Sequence, residues 1–574
     1  MLDGEPNSDW WRGAVIYQVY PRSFLDTDGD GIGDLPGITR QVPYIASLGV
    51  DAVWLCPVFL SPQRDFGYDI ADHTAIDPRF GTLEDFDILV ARLHAHGLRL
   101  LIDLVWAHTS DAHPWFRDSR AGREGPLSDW YVWADPRPDG TPPNNWLSVF
   151  GGSAWTWEPR RRQYYLHHFL PSQPALNLRN PAVVEAQASV ARFWLDRGVD
   201  GFRLDAMDFL LHDPALRDNP AAIRPEGAPL PAKLFGMQEH PYDMMHPDGA
   251  AVMREVRRIV DAYPGACILG EFSSQPGAFA RVAAATAGVD RLHMGYTLGP
   301  LRGGYDWTSV RALLEEVALH ADDGWYCWSF SNHDVERAAS RWGPYAERAG
   351  HPTGPEGPAR ARQLLALLMT LRGSVSLYQG EELGLPEADL GFEDLHDPFG
   401  IAYWPEFRGR DGSRTPMPWR ADAPHAGFTT IAPPGRPWLP VPAAHAALAV
   451  DVQETHPGSM LDYTRALLRW RRREPCLRHG SFRVLDLPAP VIGFERAHDG
   501  QALIALFNLS GETVPVRSPA LLERLPPSMS AGGAVVLPPH GSIFGMALWT
   551  DVAPAVPAPA DPAAALMRAD GDPA

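Results

Sequence analysis

Four acids in this chain stand in runs that should otherwise be apolar. Asp103 lies in "LRLLIDLVW", Asp205 in "VDGFRLDA", Glu271 in "ACILGEF" and Asp334 in "WYCWSFSNHD". Like charges that converge raise each other's pKa unless a cation compensates. Arg203 precedes Asp205 by two residues, and alternate strand residues share a face. It is therefore positioned to hold Asp205 ionised while a neighbouring carboxyl keeps its proton. One ionised and one protonated carboxyl is the requirement for cleaving a glycosidic bond with retention. The ionised group attacks the anomeric carbon, and the protonated group serves the leaving oxygen. Such a pair sits roughly 5–5.5 Å apart.

Eight β-rich runs must position these groups: 14–20, 50–58, 98–106, 199–206, 266–272, 291–297, 325–334 and 374–382. Helical patterns separate them. Phe86, Leu89, Val90 and Leu93 follow the i, i+3, i+4, i+7 spacing, with a capping box at Thr82 and Asp85. "PAVVEAQASVARFWLDRG" is a helix opened by Pro181 and closed by Gly198. Eight strand–helix repeats with continuously apolar strands predict a (β/α)8 TIM barrel, whose chemistry sits at the C-terminal ends of its strands. Residues 1–108 and 178–476 form the two parts of this catalytic barrel. Residues 109–177, rich in Trp, Pro and Gly, read as an irregular domain inserted after strand three. Residues 477–550 read as a C-terminal antiparallel β-sandwich, and the Ala/Pro-rich 551–574 as a disordered tail. The long segment 208–245 has no clear period, and loops of that length are commonly functional.

Composition removes several classes. The formal net charge of −20 disfavours a nucleic-acid partner. No run approaches the roughly 18 apolar residues of a membrane span, and the start has no secretory pattern, so the expected compartment is the cytoplasm. The four cysteines are widely spaced, as buried thiols in a reducing compartment would be.

The motifs "GVDAVWLCPVF", "DLVWAH", "QPALN", "GFRLDAMDF", "LGEF", "FSNHD" and "GSVSLYQGEELGL", in this order, give the chain its family resemblance. It resembles the alpha-amylase family of retaining alpha-glycosidases, glycoside hydrolase family 13, and within it the alpha-glucosidase and oligo-1,6-glucosidase branch. The resemblance implies Asp205 as nucleophile, Glu271 as general acid/base and Asp334 as the transition-state stabiliser. It implies His108 and His333 as sugar ligands, and Arg203 as the group that orients Asp205. "RDFGYD" supplies Asp65 and Tyr68, and "GRDGSRTPMPW" supplies Arg410, around a blind glucose pocket walled by Phe150 and Phe169. Two departures stand out. Ala107 replaces an Asn that binds calcium in alpha-amylases, and Ala175 replaces a frequent Asp.

A different ion site is expected in "DTDGDGIGD". Asp26, Asp28 and Asp30 alternate, Ile32 can add a carbonyl and Asp34 a further oxygen, as at the start of an EF-hand loop. The twelfth position is Gly37 rather than Glu. The expected cofactor is a structural Ca2+ or Mg2+, with no organic cofactor. Ala206, next to the proposed nucleophile, goes in this branch with alpha-1,4 preference. The expected function is release of glucose from short alpha-1,4-glucosides such as maltose, through a covalent glucosyl-enzyme, with transfer to acceptor hydroxyls. The alternative is a sucrose- or alpha-1,6-acting glucosidase, or a trehalose or sucrose isomerase. The expected partners are small glucosides, for a monomer or homodimer.

Overall fold

The chain closes eight parallel strands on themselves: β1 (Val15–Val19), β2 (Ala52–Leu55), β3 (Arg99–Leu104), β4 (Gly201–Leu204), β5 (Cys267–Phe272), β6 (Met294–Thr297), β7 (Cys327–Trp328) and β8 (Ser374–Tyr378). The computed structural model describes residues 9–547 except 225–226, 228–229, 298–303, 321–323, 343–356, 432–433, 519–520, 522 and 525–532. The strand order is β6-β5-β4-β3-β2-β1-β8-β7, every pairing parallel. A bridge between Gly295 and Tyr326 joins the two ends of that order into a barrel. The 551–574 tail lies outside the described residues.

The period-2 alternation sorts each strand's side chains. Val15, Tyr17 and Val19 pack outward against the helical shell. Ile16, Trp54, Leu101, Cys267, Leu269, Met294 and Cys327 fill the barrel interior. All four cysteines are buried and free. Helix α1 (Leu35–Leu48) starts at Asp34, whose carboxylate accepts from Gly37 N–H. Helix α2 (Leu83–Ala95) starts on the capping box of Thr82 and Asp85. Helix α3 (Pro181–Asp196) starts with Asn180 accepting from Ala182 N–H.

Between β3 and α3 a three-stranded antiparallel sheet (Trp133–Ala134, Gln163–Leu166, Trp155–Glu158) packs around its own core of Trp146, Trp155 and Leu166. After the barrel, a four-stranded antiparallel sheet carries Val491–His498 and Gln501–Asn508 at its centre. Its Ile504 and Leu506 pack on Val516, Val535 and Leu537 of a second, two-stranded sheet. The described residues of 208–245 are largely irregular, with a 3-10 turn at Leu234–Met237.

Gly201 opens β4 two residues before Arg203 and pairs with Cys267 of β5. A Cβ there would lie 2.2 Å from the Cys267 carbonyl oxygen. Gly201→Ala therefore forces two barrel strands apart and is expected to destabilise the protein by about 1–3 kcal/mol or more. The urea midpoint reports it, and an unchanged midpoint would refute this account of the strand spacing.

Candidate active site

Arg203 is fully buried at the centre of the barrel, and its guanidinium is shared by four groups. Nη1 donates to Asp103 Oδ1 at 2.6 Å and to Asp205 Oδ1 at 2.5 Å. Nη2 pairs with Glu271 Oε2 at 2.6 Å. Nε and Nη2 both donate to Tyr296 Oη, at 3.1 and 2.6 Å. The register explains the meeting: Arg203 lies beside Asp103 on β3 and Leu269 on β5, so both flanking strands present acids to it. Strand β4 ends at Leu204, and Asp205 is the first residue beyond it.

Glu271 has two further donors. Tyr296 Oη–H reaches its Oε1 at 2.9 Å, and the Ala206 N–H its Oε2 at 3.2 Å. Ala206 takes a left-handed conformation (φ 48°, ψ 50°) that turns this N–H toward Glu271. Burial pushes the Glu271 carboxyl up to about 7, with Arg203 opposing. Burial likewise pushes Asp205 up to about 6, again against Arg203. Both carboxyls are thus held above the usual carboxylate range by burial, with Arg203 opposing in each case.

A second arginine cluster closes the other side. Arg410 Nη2 donates to Asp65 Oδ1 and Asp397 Oδ1, both at 2.8 Å, and its Nη1 to Asp334 Oδ1 at 3.2 Å. Arg414 Nη2 donates to the same Asp334 oxygen at 2.9 Å, and its Nε to the His333 carbonyl at 2.6 Å. Burial alone would raise the Asp334 carboxyl, but His333, Arg410 and Arg414 outweigh it and hold it well below the usual carboxylate range. Burial pushes the His333 imidazole itself down to about 3, against the pull of Asp334. Gln18 Nε2 lies 2.8 Å from His333 Nδ1, and Tyr68 Oη lies 2.8 Å from its Nε2. If the Gln18 amide donates, His333 carries its proton on Nε2 and can share it with Tyr68 and with Asp334 Oδ2 at 3.4 Å.

These groups border a cavity of about 880 Å³. Asp65, Tyr68, His108, Phe150, Phe169, Asp205, Ala206, Glu271, Asp334 and Arg410 all line it, while Arg203 and His333 lie beneath its floor. Gln173 Nε2 ties Asp65 Oδ2 at 3.0 Å and faces His108 Nε2 at 3.2 Å. Phe169 packs on His108 at 5.4 Å between centroids, and the Arg410 guanidinium lies 5.1 Å over the Phe150 ring. Sequence reasoning missed Arg414, Asp397, Tyr296, Gln173 and Gln18. Arg414 had a signal, since it stands four residues after Arg410 in one motif. Tyr296 ends a strand as Glu271 does, and that was its only mark.

The acidic loop is only partly gathered. Among the described residues, Asp26, Asp28 and Asp34 offer oxygens within 4.8 Å of one another. Asp30 lies outside that group and accepts from Ile32 N–H at 2.7 Å. Asp26 also accepts from Gly29 and Gly31 N–H and from Thr429 Oγ1–H. The donor set is oxygen alone, which fits Ca2+ or Mg2+. At Gly37 a Cβ would meet the Leu25 carbonyl at 2.1 Å, so no glutamate can stand there.

A parallel eight-stranded barrel with two cation-bridged carboxyls over a ring-walled cavity defines a glycosidase-type site. The chain belongs to the alpha-amylase family: residues 18–480 match the alpha amylase catalytic domain. It is 48% identical over 553 residues to a probable alpha-glucosidase of Rhizobium meliloti (strain 1021), covering 94% of this chain and 97% of the relative. It is 36% identical over 548 residues to an oligo-1,6-glucosidase of Heyndrickxia coagulans, covering 89% and 94%. The crystal structure of the alpha-glucosyl transfer enzyme XgtA matches with a TM-score of 0.87 at 49% identity, covering 94% of this chain and 99% of that one. Within the family the chain falls in the alpha-glucosidase and oligo-1,6-glucosidase branch, and it is a glycoside hydrolase acting on alpha-glucosides. Among the described residues, no helix is long and apolar enough to cross a membrane.

The raised Glu271 pKa has a stability consequence. Unfolding lets this carboxyl ionise more easily, so its contribution is intact below about 4.5 and is lost as pH rises through about 7. Glu271→Gln removes that loss. The variant is expected to be more stable than the parent at pH 8 by about 1–3 kcal/mol, with the gap closing toward pH 5. Denaturant titrations at both pH values test this; a variant no more stable at pH 8 would contradict it.

Proposed function

We propose that this chain is a retaining alpha-glucosidase that releases glucose from the nonreducing end of short alpha-1,4-glucosides such as maltose. The observation that carries the reading is the single guanidinium of Arg203 bridging Asp205 and Glu271 at the floor of the cavity. Asp205 attacks C1 of the bound glucose. As the C1–O bond breaks, Glu271 gives its proton to the leaving oxygen. The result is an ester between C1 and Asp205. Water then loses a proton to Glu271, its oxygen attacks C1, and Asp205 departs. An acceptor alcohol in place of water gives transfer by the same steps.

Asp334, held ionised by two arginines, keeps a negative charge beside the developing oxocarbenium. Asp65, Arg410 and His108 are the ligands for the sugar hydroxyls, and Tyr68, Phe150 and Phe169 its walls. Asp65 and Arg410 line the cavity and pair at 2.8 Å, a wall that would suit attack from a chain end. Ala206 leaves room for the aglycone of a 1,4-linked substrate, a bias worth about 1–3 kcal/mol. The reading also gives the Asp26, Asp28 and Asp34 cluster a structural divalent cation, held by hard oxygens against the start of α1.

Purified protein is expected to cleave maltose ahead of isomaltose, sucrose and trehalose. It should glucosylate a simple alcohol at high acceptor concentration, and Asp205→Asn should abolish both activities. Equal or greater rates on isomaltose, sucrose or trehalose would overturn the linkage assignment, and free glucose alone with the alcohol would remove transfer. The active pair needs Asp205 ionised and Glu271 protonated. The pH profile of kcat/KM should therefore be a bell with flanks near 6 and 7. A profile flat from pH 5 to 8 would refute the assignment of roles.

Chelation is expected to lower Tm by roughly 3–8 °C, with recovery on adding Ca2+ or Mg2+. Unchanged Tm with unchanged ion content would count against the cation.

A further inference from the structure

The chain holds 50 basic residues, and only one of them, Lys233, is a lysine. That lysine lines the active-site cavity. Its ammonium lies 3.9 Å from the ring centroid of Phe399 and 3.7 Å from that of Phe407, over two rings inclined at 60° with centroids 4.8 Å apart. Resting on the functional reading above, we infer that Lys233 is a specificity-determining residue. It is a cation–π latch that joins two loops across the leaving-group side of the cavity and limits how long a substrate or acceptor can be.

The two partners come from different parts of the fold. Lys233 precedes the 3-10 turn Leu234–Met237 in the segment after β4. Phe399 sits in the helix Pro398–Tyr403 after β8, and Phe407 follows it. The base of the first loop is tied down. Asn145 and Asn219 exchange hydrogen bonds at 2.9 and 2.8 Å, and Trp146 Nε1 donates to the Arg217 carbonyl at 2.8 Å. Met245 N–H closes the segment on the Asp208 carbonyl at 2.6 Å. Farther out, Lys233 reaches across to the opposite wall. That wall leads inward: Phe399 packs on Phe150 at 4.7 Å, and Phe150 lies beneath the Arg410 guanidinium. The latch thus abuts the rings that border the proposed glucose pocket.

The residue type matters physically. An ammonium is a compact charge that can lie over two inclined rings at once, whereas a guanidinium is a plane that stacks on one face and projects its donors outward. Elsewhere in this chain every cationic position is arginine. The exception falls on the wall of the active-site cavity.

The sole lysine makes a direct test possible. The ratio of kcat/KM for maltotetraose to that for maltose is measured on the full-length protein, on Lys233→Met, and on protein whose amines are acetylated or reductively dimethylated. Lys233→Met treated with the same reagents accounts for the N-terminal amine. Acetylation removes the charge, and dimethylation keeps it. Lys233→Met and acetylation are expected to raise the ratio roughly 3- to 30-fold, the span of a cation–π contact. Dimethylation is expected to leave it within about twofold. A merely structural lysine would lower both rates together and hold the ratio fixed, and that result overturns the inference, as would equal effects of the two modifications. An unmodified protein that cleaves no alpha-glucoside overturns the functional reading itself; an active protein with a fixed ratio overturns the latch alone.

Discussion

A fully buried guanidinium at the centre of a barrel constrains everything around it. Arg203 cannot lose its proton there, so its five N–H groups require acceptors, and Asp103, Asp205, Glu271 and Tyr296 supply them. The acids in turn cannot all ionise beside one another, because one cation does not offset three buried anions. The outcome is a set of carboxyls whose pKa values burial raises and Arg203 opposes. Such a cluster contributes little net stability, since desolvation consumes most of the Coulombic gain. What it contributes is placement: an acid that leaves the cluster strands a buried charge.

The barrel is the means of that placement. Register sets Asp103 of β3 beside Arg203 of β4, and β5 carries Glu271 two residues beyond Leu269, the partner of Arg203. Asp334 arrives differently. Regular strand β7 ends at Trp328, and the acid is carried on an irregular continuation. Arg410 and Arg414 pin that continuation by holding Asp334 Oδ1 and the His333 carbonyl. The same loop reaches Asp65 and Asp397, so one short stretch of chain orders three carboxylates from three regions.

Parts of this were legible from the chain alone. Strand alternation put Arg203 and Asp205 on one face, and the Thr82–Asp85 box marked the start of α2. The acidic loop was legible as an oxygen-rich turn, but its membership was not. Asp30 has the right spacing, yet its carboxylate bonds to Ile32 N–H, while Asp26, Asp28 and Asp34 converge. Local hydrogen bonds decided that choice, and spacing carries no record of them. Asp397, Gln173 and Gln18 were invisible for a related reason. Each is an ordinary polar residue in its own stretch and acquires a role only through a partner 13, 108 or 315 positions away.

Periodicity and turn chemistry therefore determined the barrel and its antiparallel C-terminal strands, and the ordered motifs determined the family. They act over a few residues, and the sequence records them directly. Tertiary structure alone decided which arginines serve Asp334, and that the only lysine faces two phenylalanines across the cavity. Those are consequences of burial and of contacts between distant segments, and both quantities come into existence only when the chain closes.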